Sequence, residues 1–183
     1  MIERTEYLEE LKRWKDKDLI KVVTGIRRCG KSTLFELFIK FLKENNIADE
    51  QIIHINLEDA DYDFEGYKEL YNYINNKLDP KKQYYVFLDE VQNVPQFQKA
   101  VDSLYIKKNV DVYITGSNAY LLSGELATLL SGRYVEIKML PLSFKEYVTA
   151  FEDNNYQKLF LNYMKNGGMP GNISILKNNP NDL

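Results

Sequence analysis

Gly25-Ile26-Arg27-Arg28-Cys29-Gly30-Lys31-Ser32, followed by Thr33, is the stretch from which the fold can be read. It has the spacing G-x-x-x-x-G-K-S. Glycines at its two ends permit backbone angles and close approaches that a Cβ forbids. The intervening N–H groups can then turn inward as a nest for an anion. Before it runs Leu19-Ile20-Lys21-Val22-Val23-Thr24, short, apolar and β-branched, which reads as a buried strand. After it, Leu34, Leu37, Phe38, Phe41 and Leu42 recur at helical spacing. Strand, glycine loop and helix together give the pattern its chemistry. On this reading residues 25–33 are expected to form the phosphate cradle, Lys31 to reach the β- and γ-phosphates and Ser32 to hold Mg²⁺; the alternative is a Gly-rich turn capped by Ser32 with Lys31 in solvent. The start of the helix adds unpaired N–H groups and a positive dipole end.

The rest of the chain alternates strands and helices. A helix over 5–15 carries Tyr7, Leu8, Leu11 and Trp14 on one face; Tyr7 and Trp14 either pack or stack on a nucleotide base. Gln51–Leu57 is a second strand with the chain's only histidine, His54, in its middle. A lone histidine makes neither a triad nor a metal site, and is read as a hydrogen-bonded strand residue. Glu58 and Asp59 follow, either facing the phosphates or forming a solvated acidic loop. A helix over 64–78 leads to Tyr84–Leu88, five apolar or aromatic residues that read as a strand buried on both faces.

That strand ends in Asp89-Glu90. A carboxylate there can hold the Mg²⁺ shell through water, which assigns Asp89 to the metal. Glu90 is the candidate general base that orients the attacking water. A helix over 96–106 and a strand over 110–115 follow, ending in Gly116-Ser117-Asn118. Asn118 and Ser117 are candidates for sensing the γ-phosphate, with Thr115 behind them; both also suit a helix N-cap. A helical stretch over 118–131 precedes a fifth strand, Tyr134–Lys138, with Arg133 at its start. Strand starts and strand ends lie at opposite ends of a parallel sheet. Arg133 is therefore read either as an arginine finger for a neighbouring subunit's nucleotide or as a surface arginine paired with a carboxylate. Ser143 and Glu146 form a capping box for a helix carrying Phe144, Tyr147, Val148 and Phe151. A helix over 155–165, a glycine-rich turn at 167–171 and an Asn-rich tail over 172–183 complete the chain.

Cys29, the only cysteine, excludes an intrachain disulfide and fits a reducing compartment. Beside two arginines at a helix N-terminus, its thiol is expected to have a lowered pKa, to react readily and to be protected by bound nucleotide. The alternative is that it points into the core. The 183 residues carry a net charge of −3 and the pI is about 5.4, which gives no bulk support for nucleic-acid binding. No apolar run is long enough to span a membrane, and the expected location is cytoplasmic.

Taken together, Thr24–Thr33, Phe87–Gln92, Thr115–Asn118, Leu130–Tyr134 and Pro141–Tyr147 resemble the AAA+-type P-loop ATPases of bacteria and archaea, in the ASCE division. The resemblance implies an α/β three-layer sandwich, a parallel five-stranded sheet ordered 5-1-4-3-2 with helices on both faces, and ATP and Mg²⁺ as ligands. It implies an ATPase core over 1–140, a short helical extension over 141–171, and a linker or cut end over 172–183 leading to a C-terminal domain not present in the sequence. The activity implied is hydrolysis of MgATP to ADP and phosphate, driving a conformational change, with a homo-oligomer through Arg133. The other readings are a regulatory nucleotide switch with little turnover, a small-molecule kinase and a nucleic-acid motor.

Overall fold

A computed structural model describes residues 2–117, 130–151 and 155–173. The elements are α1 (Thr5–Trp14), β1 (Ile20–Gly25), α2 (Lys31–Glu44), β2 (Ile52–Asn56), α3 (Tyr67–Asn75), β3 (Tyr84–Asp89), α4 (Phe97–Tyr105), β4 (Val110–Gly116), β5 (Tyr134–Met139), α5 (Phe144–Val148) and α6 (Tyr156–Asn166). Residues 170–173 add a final helical turn. The expected helical stretch over 118–131 lies almost wholly outside the described residues.

The five strands form one parallel sheet in the order β2-β3-β4-β1-β5, the order the resemblance implies. Every residue of β1, β3 and β4 is buried, whereas β2 and β5, on the edges, are only partly covered. This is why the three central strands read as near-continuous apolar runs.

Alternation along each strand sends side chains to two cores. Val22, Val86, Leu88, Val112 and Ile114 meet Leu70 and Ile74 of α3 and Val101 and Leu104 of α4. Val23, Tyr85, Phe87 and Tyr113 meet Leu11 of α1 and Leu34, Phe35, Phe38 and Leu42 of α2. In this second core the Phe87 and Tyr113 rings stack at 4.7 Å, with Phe35 edge-on to Phe87 at 5.2 Å. Burying each such ring stabilises the fold by about 2 to 3 kcal/mol. A third, smaller core joins Leu142, Tyr147, Ala150, Leu159 and Ile173 under α5 and α6. The Ser143–Glu146 capping box is present, but α5 ends at Val148, short of Phe151.

At the start of the strands lies a buried ion pair. Lys21 Nζ is 2.5 Å from Asp111 Oδ1, and both residues are almost fully buried. Burial lowers the pKa of Lys21 and raises that of Asp111, and each partner's charge opposes the shift. Further bonds support the carboxylate. Asp111 Oδ2 accepts from the Tyr113 hydroxyl at 2.7 Å and from the Asp16 N–H at 2.9 Å. Lys21 also donates to the Lys17 carbonyl at 2.8 Å.

Cys29 settles between its two sequence readings. Its side chain is fully buried in the α2-side core, beneath Gly25, while Arg27 and Arg28 are exposed. Burial raises the thiol pKa, and this outweighs the lowering by Lys31 and Arg4. Of the two readings of Cys29, the structure shows the one in which the side chain points into the core, because sequence neighbours on a tight loop point in opposite directions.

Asp111→Ala leaves a buried ammonium without its counter-charge and should destabilise the fold by about 3 to 5 kcal/mol in urea unfolding. Lys21→Met with Asp111→Ala should be less destabilised than the sum of the single variants, and an additive result would overturn the coupling. Native Cys29 should alkylate more than about tenfold slower than the urea-unfolded chain at pH 8. Equal rates would show that the thiol is accessible.

Candidate functional site

The parallel arrangement gathers the carboxyl ends of β1, β4 and β3 side by side, and the loop after β1 lies over them. Ligands of open α/β sheets bind at such an edge. The geometry of the loop depends on its two glycines. A Cβ on Gly25 would lie 2.5 Å from the Met139 carbonyl oxygen and 2.8 Å from Cys29 Sγ, so only glycine fits. Gly30 has φ of 103°, and Arg28 is also left-handed with φ of 65°. The loop runs directly into α2 at Lys31, whose first turn has N–H groups without intrahelical acceptors.

Lys31 is only 4% exposed. Its ammonium lies 3.4 Å from the carbonyl oxygens of Gly25 and Ile26 and 3.3 Å from Glu90 Oε1. These contacts are long for charge-assisted bonds, which run near 2.7–2.9 Å. Ile26, Arg27, Arg28 and Ser32 are exposed, and Thr33 is half-buried. Arg27 reaches Glu58 at 3.0 Å on the surface, a pair worth about 0 to 1 kcal/mol.

Asp89 is 1% exposed, and one of its oxygens accepts a short bond from the Thr115 hydroxyl. The same hydroxyl oxygen accepts the Glu90 N–H at 3.0 Å. Thr115 thus ties the Asp89 carboxylate to the Glu90 backbone. Glu90 itself is left-handed, with φ of 53°, which turns its side chain off the strand. One of its oxygens faces Lys31 and the other accepts from Gln92 Nε2 at 2.7 Å. His54, on the neighbouring strand, has Nε2 3.7 Å from Asp89 Oδ2 and packs edge-on against Phe87.

The structure therefore brings Gly25, Gly30, Lys31, Asp89 and Glu90 together. Asn118 lies outside the described residues, and Ser117 is half-buried just beyond β4. Arg133 is elsewhere, at the start of β5. It bonds Asp102 of α4 at 2.5 Å, with its guanidinium 5.9 Å from the Tyr105 ring. Tyr7 and Trp14 pack beside α2. The sequence alone ranks Thr115 behind Ser117 and Asn118. The signal that singles it out is alternation: Tyr113 faces the α2 side, so Thr115 does too, next to the end of β3. Arg4 has no such signal. It is 3% exposed and donates to the Cys29 carbonyl at 3.0 Å.

A cavity of about 510 Å³ opens at the other end of the sheet, lined by Asp16, Lys17, Tyr85, Lys108 and Asp111 among others. Its buried carboxylate is already held by Lys21 and Tyr113. The loosely held ammonium is at the loop end.

The AAA domain family matches residues 17–148. An uncharacterized protein of Haemophilus influenzae is 45% identical over 179 residues, covering 93% of this chain and 44% of that protein. An uncharacterized protein of Methanocaldococcus jannaschii is 36% identical over 146 residues, covering 77% of this chain and 30% of that protein. The chain thus spans less than half the length of these relatives. Among solved structures, a Walker-type ATPase of Pyrococcus abyssi superposes with a TM-score of 0.63 at 20% identity, over 94% of this chain and 65% of that one. The Aeropyrum pernix ORC1 protein, solved in complex with DNA, gives 0.57 at 13% identity, over 81% and 48%. These two likenesses concern the fold alone. With the family match across the loop, the carboxylate strand and all five strands of the sheet, the chain belongs to the AAA domain family and carries an AAA+/P-loop ATPase-like domain.

Proposed function

We propose that the chain binds ATP with Mg²⁺ and hydrolyses the terminal phosphoryl group. The observation that carries this reading is the buried Lys31 ammonium, held by long contacts to two loop carbonyls and to Glu90. Such a cation exchanges its weak partners readily for phosphate oxygens. The residues present suit both ligands. Two glycines clear space for a phosphate against the backbone, and the start of α2 supplies free N–H donors. Ser32 and Asp89 are a hydroxyl and a carboxylate, the oxygen donors that a hard cation takes. Bound there, Mg²⁺ would supply neutralisation of the phosphate charge.

The protein's own part is positioning. The loop amides and Lys31 hold the β- and γ-phosphates. As Lys31 turns to them, Glu90 Oε1 loses its counter-ion and becomes free to orient water and take its proton. The water oxygen forms a bond to the γ-phosphorus, the bond to the leaving ADP oxygen breaks, and the proton goes to Glu90. Gln92 holds the second oxygen of Glu90, and Thr115 fixes Asp89 against the Glu90 backbone. Arg133 is bonded to Asp102 at the far end of the sheet, so it enters only in trans, toward a neighbouring subunit. Turnover would drive a conformational change in the helical segment after β5. The Lys31–Glu90 contact also supports the switch reading, in which the resting pair holds the base and turnover is slow. No helix among the described residues is long and apolar enough to cross a membrane.

Glu90→Gln should lower phosphate release by about 100-fold or more while a fluorescent ATP analogue still binds. Unchanged release would remove Glu90 from the mechanism. Equally slow release from the unaltered chain, with tight binding, would favour the switch. Thr115→Val leaves the Glu90 N–H and an Asp89 oxygen without their partner. Turnover should fall about tenfold or more, with a higher Mg²⁺ requirement, and Thr115→Ser should restore most of it. A Val variant with normal Mg²⁺ dependence would show that the hydroxyl is not needed.

A further inference from the structure

Arg4 joins three parts of the chain that are far apart in sequence. Its Nη1 donates to the Cys29 carbonyl at 3.0 Å, Nη2 to the Leu140 carbonyl at 2.7 Å, and Nε to Glu146 Oε1 at 2.8 Å. The residue is 3% exposed, and its guanidinium lies 4.8 Å from the Tyr7 ring centre. One residue of α5 thus shares a cation with the last peptide before Gly30 and with the end of β5. The other oxygen of Glu146 accepts the Ser143 N–H at 2.8 Å, so the same carboxylate caps α5.

The bond to Cys29 has a directional consequence. In a trans peptide the C=O and the following N–H point opposite ways. Holding the Cys29 oxygen on Arg4 therefore turns the Gly30 N–H away from Arg4, and prevents this peptide from flipping. The segment after β5 also touches this point. A Cβ placed on Gly30 would lie 3.5 Å from Met139 Cε, 3.9 Å from Arg4 Nη1 and 3.9 Å from Pro170 Cγ. Gly168 closes the segment onto itself, accepting the Leu142 N–H at 2.7 Å where a Cβ would meet the Leu142 oxygen at 2.2 Å.

We propose that Arg4 is a positioning residue that fixes the Cys29–Gly30 peptide of the phosphate loop, and that its pair with Glu146 is the joint between that loop and the start of α5. The proposal rests on the ATP reading for its purpose, but not for its geometry. Phosphate drawn to the Gly30 N–H loads the Cys29 carbonyl, hence Arg4, hence Glu146 and the start of α5. A shift of α5 acts on the loop by the same route.

The test uses the whole chain with Glu146→Gln, Arg4→Gln, both together, and Arg4→Lys. Glu146→Gln keeps an oxygen for the α5 cap while removing the counter-charge. Amide hydrogen exchange is read first, without nucleotide. Residues 26–34 should exchange about tenfold faster in both single variants, with β3 amides unchanged. Affinity for a fluorescent ATP analogue should weaken by a similar factor. The double variant should be no worse than Arg4→Gln alone. Arg4→Lys should rescue little, because one ammonium cannot serve three acceptors in a fork. Loop exchange within twofold of the parent in folded Glu146→Gln, or additive effects in the double variant, would overturn the joint. If Arg4→Gln fails to fold, Glu146→Gln decides alone. If the parent binds no nucleotide while loop exchange responds as expected, the ATP reading falls and the joint stands. Normal exchange with normal binding gives the reverse.

Discussion

An ammonium buried at the tip of a β-sheet is costly unless something offsets its desolvation, and Lys31 is in that position. Its partners are two carbonyls of its own loop and one oxygen of Glu90, all at 3.3 to 3.4 Å. The site depends on bringing these together. Gly25 must lack a side chain so that the loop can sit on the end of β5. The strands must be parallel, and β3 must lie two places from β1 in the sheet, with β4 between them. Glu90 must turn into the left-handed region so that its carboxylate leaves the strand and meets Lys31. None of these has a use without the others.

The two ends of the sheet carry similar charges arranged for different purposes. Where the strands start, Lys21 and Asp111 sit 2.5 Å apart, and three further bonds of 2.7 to 2.9 Å close the network. Such a closed arrangement resists exchange with a ligand and fixes β1 against β4. Where the strands end, the lysine's contacts lengthen to 3.3 to 3.4 Å. Only the acidic side is tightly held, by Thr115 and Gln92. The carboxylates are thus fixed while the cation opposite them is loose. That asymmetry, more than cavity size, sets the two ends of the sheet apart.

The central strands are readable in the sequence because burial on both faces leaves a continuous apolar run, as in Tyr84–Leu88. The glycine loop is readable because its two glycines stand at that spacing between a strand and a helix. Strand order comes from resemblance and not from periodicity. Helix limits are less readable. The stretch expected from 64 begins at Tyr67, after an extended Gly66, and α5 stops at Val148. Cys29 stays ambiguous in the sequence because adjacency to Arg27 and Arg28 suggests contact, whereas the loop turns the thiol inward and the guanidiniums outward. Arg4 is unreadable for a deeper reason. Its three partners lie 25, 136 and 142 residues away, and none leaves a local pattern around position 4.

The same distances bear on how this loop could communicate. Gly25 has no slack against Met139, since an added methyl would overlap its carbonyl oxygen at 2.5 Å. Arg4 holds the next residue, Leu140, and the Tyr7 hydroxyl accepts the Leu140 N–H at 3.1 Å. The end of β5 is therefore held by the loop on one side and by the N-terminal helix on the other. Just beyond Leu142 the chain enters the capping box of α5. A displacement of the loop must be absorbed there, because close-packed interiors transmit strain and do not dissipate it in voids. The helical segment is then mechanically continuous with the phosphate loop, and the N-terminal arginine belongs to the site although it touches none of its ligating groups.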